Sequence, residues 1–169
     1  MVLDHLRTIP DFPEPGIAFR DITPLLADGT AFRAVSEYWA QAVRDSGADF
    51  VVGIEARGFI VAAPAAALAG VGFVPLRKPG KLPGVTISES YALEYGQATL
   101  EMHEDAIKPG SRVVIMDDVL ATGGTAHAAA ALMERAGGEV VNLMFLMELD
   151  GLDGRAMIGP RPIDVLARV

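Results

Sequence analysis

The chain of 169 residues sets 22 acidic against 14 basic side chains, a formal charge of −8, and 51% of it is hydrophobic. That is one ordinary domain with ample apolar content for a core, so disorder of the whole chain is excluded, and the acidic surplus argues against general binding to a polyanionic nucleic acid. The absence of cysteine removes thiolate catalysis, thiolate metal ligation and disulfides, and suits a reducing cytoplasm.

The N-terminal stretch MVLDHLRTIP has an early acid and no long apolar run, which is unlike a secretory signal. Residues 31–45 place Phe32, Val35, Trp39 and Val43 at helical spacing before the stop at Gly47, predicting an amphipathic helix. The apolar run Phe50 to Ile54 reads as a buried strand, Phe59 to Leu68 as a helix behind it, and Phe73 to Leu76 as the next strand. No charge falls between Arg57 and Arg77, yet Pro64, Gly70, Gly72 and Pro75 interrupt the stretch, so it is not read as a membrane span.

From about 78 to 97 periodicity is lost among Pro79, Gly80, Pro83, Gly84 and Gly96, a length of helix-free chain that predicts a functional flap. Arg112 to Met116 is then a buried strand, Thr125 to Ala136 a helix closed by Gly137 and Gly138, and Val140 to Met147 a further strand. Strands that are nearly continuous in Val, Ile and Phe and alternate with helices predict an α/β fold. Its central sheet should be mostly parallel, with helices on both faces, in a single domain over 1–169. Ligands meet such sheets at the carboxyl ends of the strands, here after Ile54, Leu76, Met116 and Met147.

The segment after Met116 carries the most chemistry. Asp117 and Asp118 are followed by Ala121, Thr122, Gly123, Gly124 and Thr125 and then by a helix. Glycines let backbone N–H groups turn inward, threonine hydroxyls add donors, and the helix start adds partial positive charge, a combination suited to a phosphate. Two adjacent carboxylates suit a vicinal diol, so phosphate and ribose would lie side by side. It is neither a Gly-Lys-Ser/Thr phosphate loop nor a G-x-G-x-x-G fingerprint. Elsewhere Arg57 follows a strand end, and Arg77, Lys78 and Lys81 form a basic cluster in an acidic chain, both fit to grip an anion. The bland alternatives are a solvated Arg57 pairing with Glu55, and lysines that merely solvate a loop. His5, His103 and His127 share no metal-ligand spacing.

Four apolar residues, two acids, two linking residues and A-T-G-G-T resemble the phosphoribosyl pyrophosphate motif of type I phosphoribosyltransferases. The segments 12–22 (FPEPGIAFRDI), 53–59 (GIEARGF), 77–84 (RKPGKLPG) and 90–96 (SYALEYG) resemble, in order and spacing, the adenine-using branch of that family, over about residues 10 to 150. The resemblance implies the type I phosphoribosyltransferase fold, with a small N-terminal hood over about 1–25 and a flexible flap over about 78–97. It implies transfer of 5-phosphoribose from phosphoribosyl pyrophosphate to adenine, giving AMP and pyrophosphate, in purine salvage, by a cytoplasmic homodimer that uses Mg²⁺ carried on substrate oxygens.

It further implies roles for single residues. Phosphoribosyl pyrophosphate would be held by Arg57, Arg77, Lys78, Lys81, Asp117, Asp118 and residues 121–125. Glu94 would be the acid/base partner of the purine, Tyr95 would pack over the reacting ribose, and Arg57 would act on the departing pyrophosphate. The base would be read by main-chain groups around Ala18, Phe19 and Arg20 and covered by Leu149. Rival readings are an enzyme for xanthine, a 6-oxopurine or orotate, disfavoured for 6-oxopurines by the lack of lysine after Lys108, and a non-catalytic sensor of phosphoribosyl pyrophosphate.

Overall fold

The computed structural model describes residues 2–92 and 97–169. After a short 3-10 turn, β1 (Arg7–Ile9) pairs antiparallel with β2 (Phe19–Asp21), and together they form the hood. Helices α1 (Thr23–Ala27) and α2 (Gly29–Ser46) follow. Asp28 caps α2 by accepting from the N–H groups of Thr30 and Ala31 at 2.9 and 3.0 Å, and Gly47 closes it at φ 66°, a conformation that costs glycine nothing.

The hood is tied down at Asp21, which is 6% exposed. Its carboxylate accepts from the Thr23 N–H and hydroxyl at 2.9 and 2.8 Å and from Arg7 Nε and Nη2 at 3.0 and 2.5 Å. The Thr23 backbone N–H first, and then Arg7, hold its pKa down at about 2. The folded chain therefore gains stability from ionised Asp21 above about pH 4, and loses that gain as the pH falls through about 2. Asp21→Asn is expected to lower Tm at pH 7, and the gap from the parent should close as melts are repeated down to pH 2. A gap of constant size would separate Asp21 from the acid sensitivity.

The centre is a five-stranded parallel sheet in the order β4-β3-β7-β8-β9, formed by β3 (Phe50–Ile54), β4 (Gly72–Leu76), β7 (Arg112–Leu120), β8 (Glu139–Glu148) and β9 (Ile163–Arg168). Alternate side chains supply two apolar layers. Val51, Val114, Met116, Met144 and Leu146 pack on one face with α2 and with α3 (Arg57–Ala69). Val52, Ile54, Val113, Ile115, Leu143 and Phe145 pack on the other with α4 (Gly124–Arg135). Both faces being covered explains why these strands read as unbroken apolar runs.

Two expectations change in detail. Part of the helix-free stretch is strand: β5 (Thr86–Ala92) pairs antiparallel with β6 (Gln97–His103), with Thr86 opposite His103 and Ala92 opposite Gln97. The strand expected to stop at Met116 runs on to Leu120. Asp117, Val119 and Leu120 pair with Phe145, Met147 and Glu148 of β8, so the two acids lie within a strand rather than after one. A short helix α5 (Gly154–Ile158) precedes β9, and neither was expected.

Candidate active site

Because the strands are parallel, the carboxyl ends of β3 and β7 open side by side on one edge. A cavity of about 700 Å³ lies there, walled by residues 54–57, Lys78, Pro79, Tyr91, 97–100, 117–126 and Phe145. β7 delivers the two acids. Asp118 is buried, its side chain 4% exposed, and its Oδ2 accepts from Arg57 Nε at 2.5 Å. Arg57, at the start of α3 and 48% exposed, also stands over the Phe19 ring, with its Cζ 5.5 Å from the ring centroid. The arginine thus bridges the hood and the acid, not Glu55 as its bland reading had it.

Asp117 Oδ1 accepts from the Asp118 N–H at 2.9 Å. Burial, and next the charge of Asp118, push the Asp117 carboxyl well above its usual range, opposed by that backbone hydrogen bond and by Arg57. The close packing has a covalent limit at Gly58, where a Cβ would stand 2.8 Å from Asp117 Oδ1 and 3.0 Å from the Met116 carbonyl oxygen.

Beyond Leu120 the chain turns through Ala121 and Thr122 to Gly123, at φ 85°, and α4 begins at Gly124. Among the described residues no side chain caps α4, so the N–H groups of its first turn keep their hydrogen-bonding capacity for a ligand. Neither threonine is spent as a cap: Thr125 Oγ1 donates instead to Tyr91 Oη at 3.1 Å. The turn rests on α5, since a Cβ on Gly123 would meet Gly154 O at 2.4 Å and one on Gly154 would meet Ala121 O at 2.2 Å.

Across the cavity, Glu55 Oε2 accepts from the Lys78 N–H at 2.9 Å and from Arg77 Nε at 3.2 Å, contacts that hold its carboxyl below the usual range. Arg77 Nη1 donates to the Lys81 carbonyl at 3.3 Å, and the Gly80 N–H donates to Glu101 Oε2 at 3.1 Å. Two carboxylates thereby fold the 77–81 loop, with Lys78 on the cavity wall. A buried diacid, a cation and a helix start around one cavity can hold a molecule with vicinal hydroxyls and more than one phosphate group.

Comparison with known proteins agrees. The family model "Phosphoribosyl transferase domain" matches residues 22–162. The adenine phosphoribosyltransferase of Thermobifida fusca is 56% identical over 165 residues, covering 98% of this chain and 94% of its own. The chain belongs to the adenine phosphoribosyltransferase family. The solved adenine phosphoribosyltransferase of Thermoanaerobacter pseudethanolicus superposes with a TM-score of 0.96 at 50% identity, covering 99% of this chain and 98% of that one. The Saccharomyces cerevisiae enzyme, complexed with an imino-altritol bisphosphate and adenine, gives 0.93 at 37% identity, with 98% and 96% covered.

In this member of the adenine phosphoribosyltransferase family, Arg57, Lys78, Asp117, Asp118 and residues 121–125 come together on the cavity wall. Arg77 is turned toward Glu55 and Lys81 O, and neither Arg77 nor Lys81 is among the wall residues. Phe19 reaches the site through Arg57, the exposed Ala18 precedes it, and Arg20 donates to the Thr8 hydroxyl. Leu149 is half-buried beside the sheet, its N–H bonded to Leu120 O at 2.9 Å. Glu94 and Tyr95 lie outside the described residues.

Glu55, Glu101, Tyr91 and Gly154 were missed as parts of the site. Glu55 stood in a motif, but only as an alternative partner of Arg57. Gly154 had no local signal, because its reason is a backbone 33 residues away.

Proposed function

We propose that this protein transfers 5-phosphoribose from phosphoribosyl pyrophosphate to adenine, releasing pyrophosphate and forming AMP. The observation that carries the reading is the meeting, around one cavity, of Asp118 and Arg57 with the uncapped start of α4. The yeast relative, which binds adenine together with a sugar bisphosphate analogue, supports the pairing of substrates.

Cleavage of the bond from C1 of the ribose to pyrophosphate and formation of the bond to the purine nitrogen pass through a cationic sugar. The protein must therefore hold the ribose, receive the departing charge and exclude water. Asp117 and Asp118 accept from the ribose hydroxyls, and residues 121–125 with the first N–H groups of α4 take the 5-phosphate. Arg57, with Lys78, and Arg77 and Lys81 behind it, faces the pyrophosphate. The hood segment at Ala18, Phe19 and Arg20 receives the base under Leu149, and Glu94 exchanges the proton of the purine nitrogen while Tyr95 covers the ribose.

Mg²⁺ fits this donor set, because the carboxylates are hard oxygen ligands beside a phosphate site. Mg²⁺ would ride on pyrophosphate and ribose oxygens beside Asp117 and Asp118. When bound it neutralises pyrophosphate charge.

A homodimer is part of the proposal. On α3, Ile60, Ala63, Pro64, Ala67 and Leu68 recur at helical spacing and point away from Val61, Ala62, Ala65 and Ala66, which are buried. Ile60 and Leu68 are 38% and 51% exposed, and a helix apolar on all sides is ordinarily covered on all sides. Among the described residues no helix is long and apolar enough to cross a membrane, and the lack of cysteine supports the cytoplasm.

The deciding experiment incubates the protein with phosphoribosyl pyrophosphate, Mg²⁺ and, in turn, adenine, hypoxanthine, guanine, xanthine and orotate. AMP from adenine alone is expected. Nucleotide from another base would replace the assigned acceptor, and none from any base would leave a binding protein rather than an enzyme.

A further inference from the structure

The β5–β6 hairpin is not free of the phosphate loop. Arg135, in the last turn of α4, donates to Glu89 Oε2 and to the Ser88 carbonyl, and Thr125, in the first turn, donates to Tyr91 Oη at 3.1 Å. The strand that leads into the segment holding Glu94 is thus fastened to both ends of the helix whose start forms the phosphate site. Tyr91 is also on the cavity wall.

A hydroxyl has one hydrogen to give. In the structure Thr125 gives it to Tyr91. With a phosphate in the loop, the charged oxygen is the stronger acceptor and takes that hydrogen. The phenol is itself a donor, so it can reverse and donate to Thr125 Oγ1 without moving. The result is a relay from Tyr91 to Thr125 to phosphate, in which each hydrogen bond polarises the next.

We propose that Tyr91 is a positioning residue that couples occupancy of the phosphate loop to the β5–β6 hairpin, acting through the Thr125 hydroxyl. The proposal rests on the function given above. Glu94 follows Tyr91 by three positions in the chain, and the contact that strengthens on phosphate binding fixes the end of β5 just before it.

The test is Tyr91→Phe, Thr125→Val and their double variant, with Thr125→Ser as the conservative control. Titration calorimetry with phosphoribosyl pyrophosphate reads binding without turnover, and steady-state kinetics reads kcat and both KM values. Tyr91→Phe is expected to weaken phosphoribosyl pyrophosphate about three- to tenfold, the effect of one hydrogen bond to a partly charged network. It should lower kcat as well, with Tm and the KM for adenine unchanged.

In the Thr125→Val background the same change should add nothing, whereas in Thr125→Ser it should keep its effect. Unchanged binding in Tyr91→Phe, or penalties that multiply in the double variant, would overturn the coupling. A parent that binds phosphoribosyl pyrophosphate yet forms no nucleotide overturns the enzymatic reading alone, because the binding comparison still decides the role of Tyr91.

Discussion

Gly123→Ala is expected to leave a folded chain whose affinity for phosphoribosyl pyrophosphate has dropped at least about a hundredfold. Two effects add. At φ 85° a Cβ carries a conformational cost of about 1–2 kcal/mol. The same Cβ would stand 2.4 Å from the Gly154 carbonyl oxygen, a backbone atom that cannot swing aside. The loop must shift instead, and a displacement of about 1 Å in a positioning element costs on the order of a hundredfold. Calorimetric titration beside a thermal melt separates loss of binding from loss of fold. Gly29→Ala is the control: its new methyl meets nothing within 4 Å and its φ is ordinary, so affinity should stay at the parent's value while Tm stays level or rises, as for alanine replacing glycine in a helix. Full affinity in Gly123→Ala would remove the 121–125 turn from the phosphate site.

Asp117→Asn and Asp118→Asn should move stability in opposite directions while both weaken the sugar phosphate at least about tenfold. Burial, and next the charge of Asp118, push the Asp117 carboxyl well above its usual range. A folded-state pKa raised above the unfolded one means that the fold loses stability as pH rises from about 4 toward the raised value. The amide, which never ionises, escapes that loss, so Asp117→Asn should melt higher than the parent at pH 7. The advantage should vanish at pH 4.

Asp118→Asn removes the buried partner of Arg57, but the arginine is 48% exposed and regains water. The loss should stay near 1–2 kcal/mol, below the 3–5 kcal/mol typical of a fully buried pair. A lower Tm for Asp117→Asn at pH 7 would show that its carboxylate is stabilised rather than strained in the free site.

The pattern of residues made some of this legible and concealed the rest for physical reasons. β3, β7 and β8 announced themselves because both their faces are buried, which leaves unbroken apolar runs, and α2 did so because one face packs Val35, Trp39 and Val43. β9 gave no such signal: IDVLAR is an edge strand with charge at Asp164 and Arg168, half in water. The hairpin was hidden by the prolines and glycines ahead of it. The acids and the A-T-G-G-T turn were readable as chemistry, since a local segment supplies all of that site's backbone. The partner of Arg57 lies 61 residues away and that of Gly154 lies 33 away. Such pairs are set by how the strands stack and leave no local mark.

The pairing of Arg57 with Asp118 bears on which anions the free site admits. Each group is the other's counterion until a ligand arrives, so the site contains its own competitor. An inorganic phosphate that captures Arg57 strands a buried carboxylate, and a plain sugar that courts Asp118 must first detach the arginine. On the proposed function, phosphoribosyl pyrophosphate, which carries both a diol and a polyphosphate, would replace both halves of the broken pair at once. On the proposed function the ion pair would work as a two-key lock against the single-feature anions and sugars that crowd a cell.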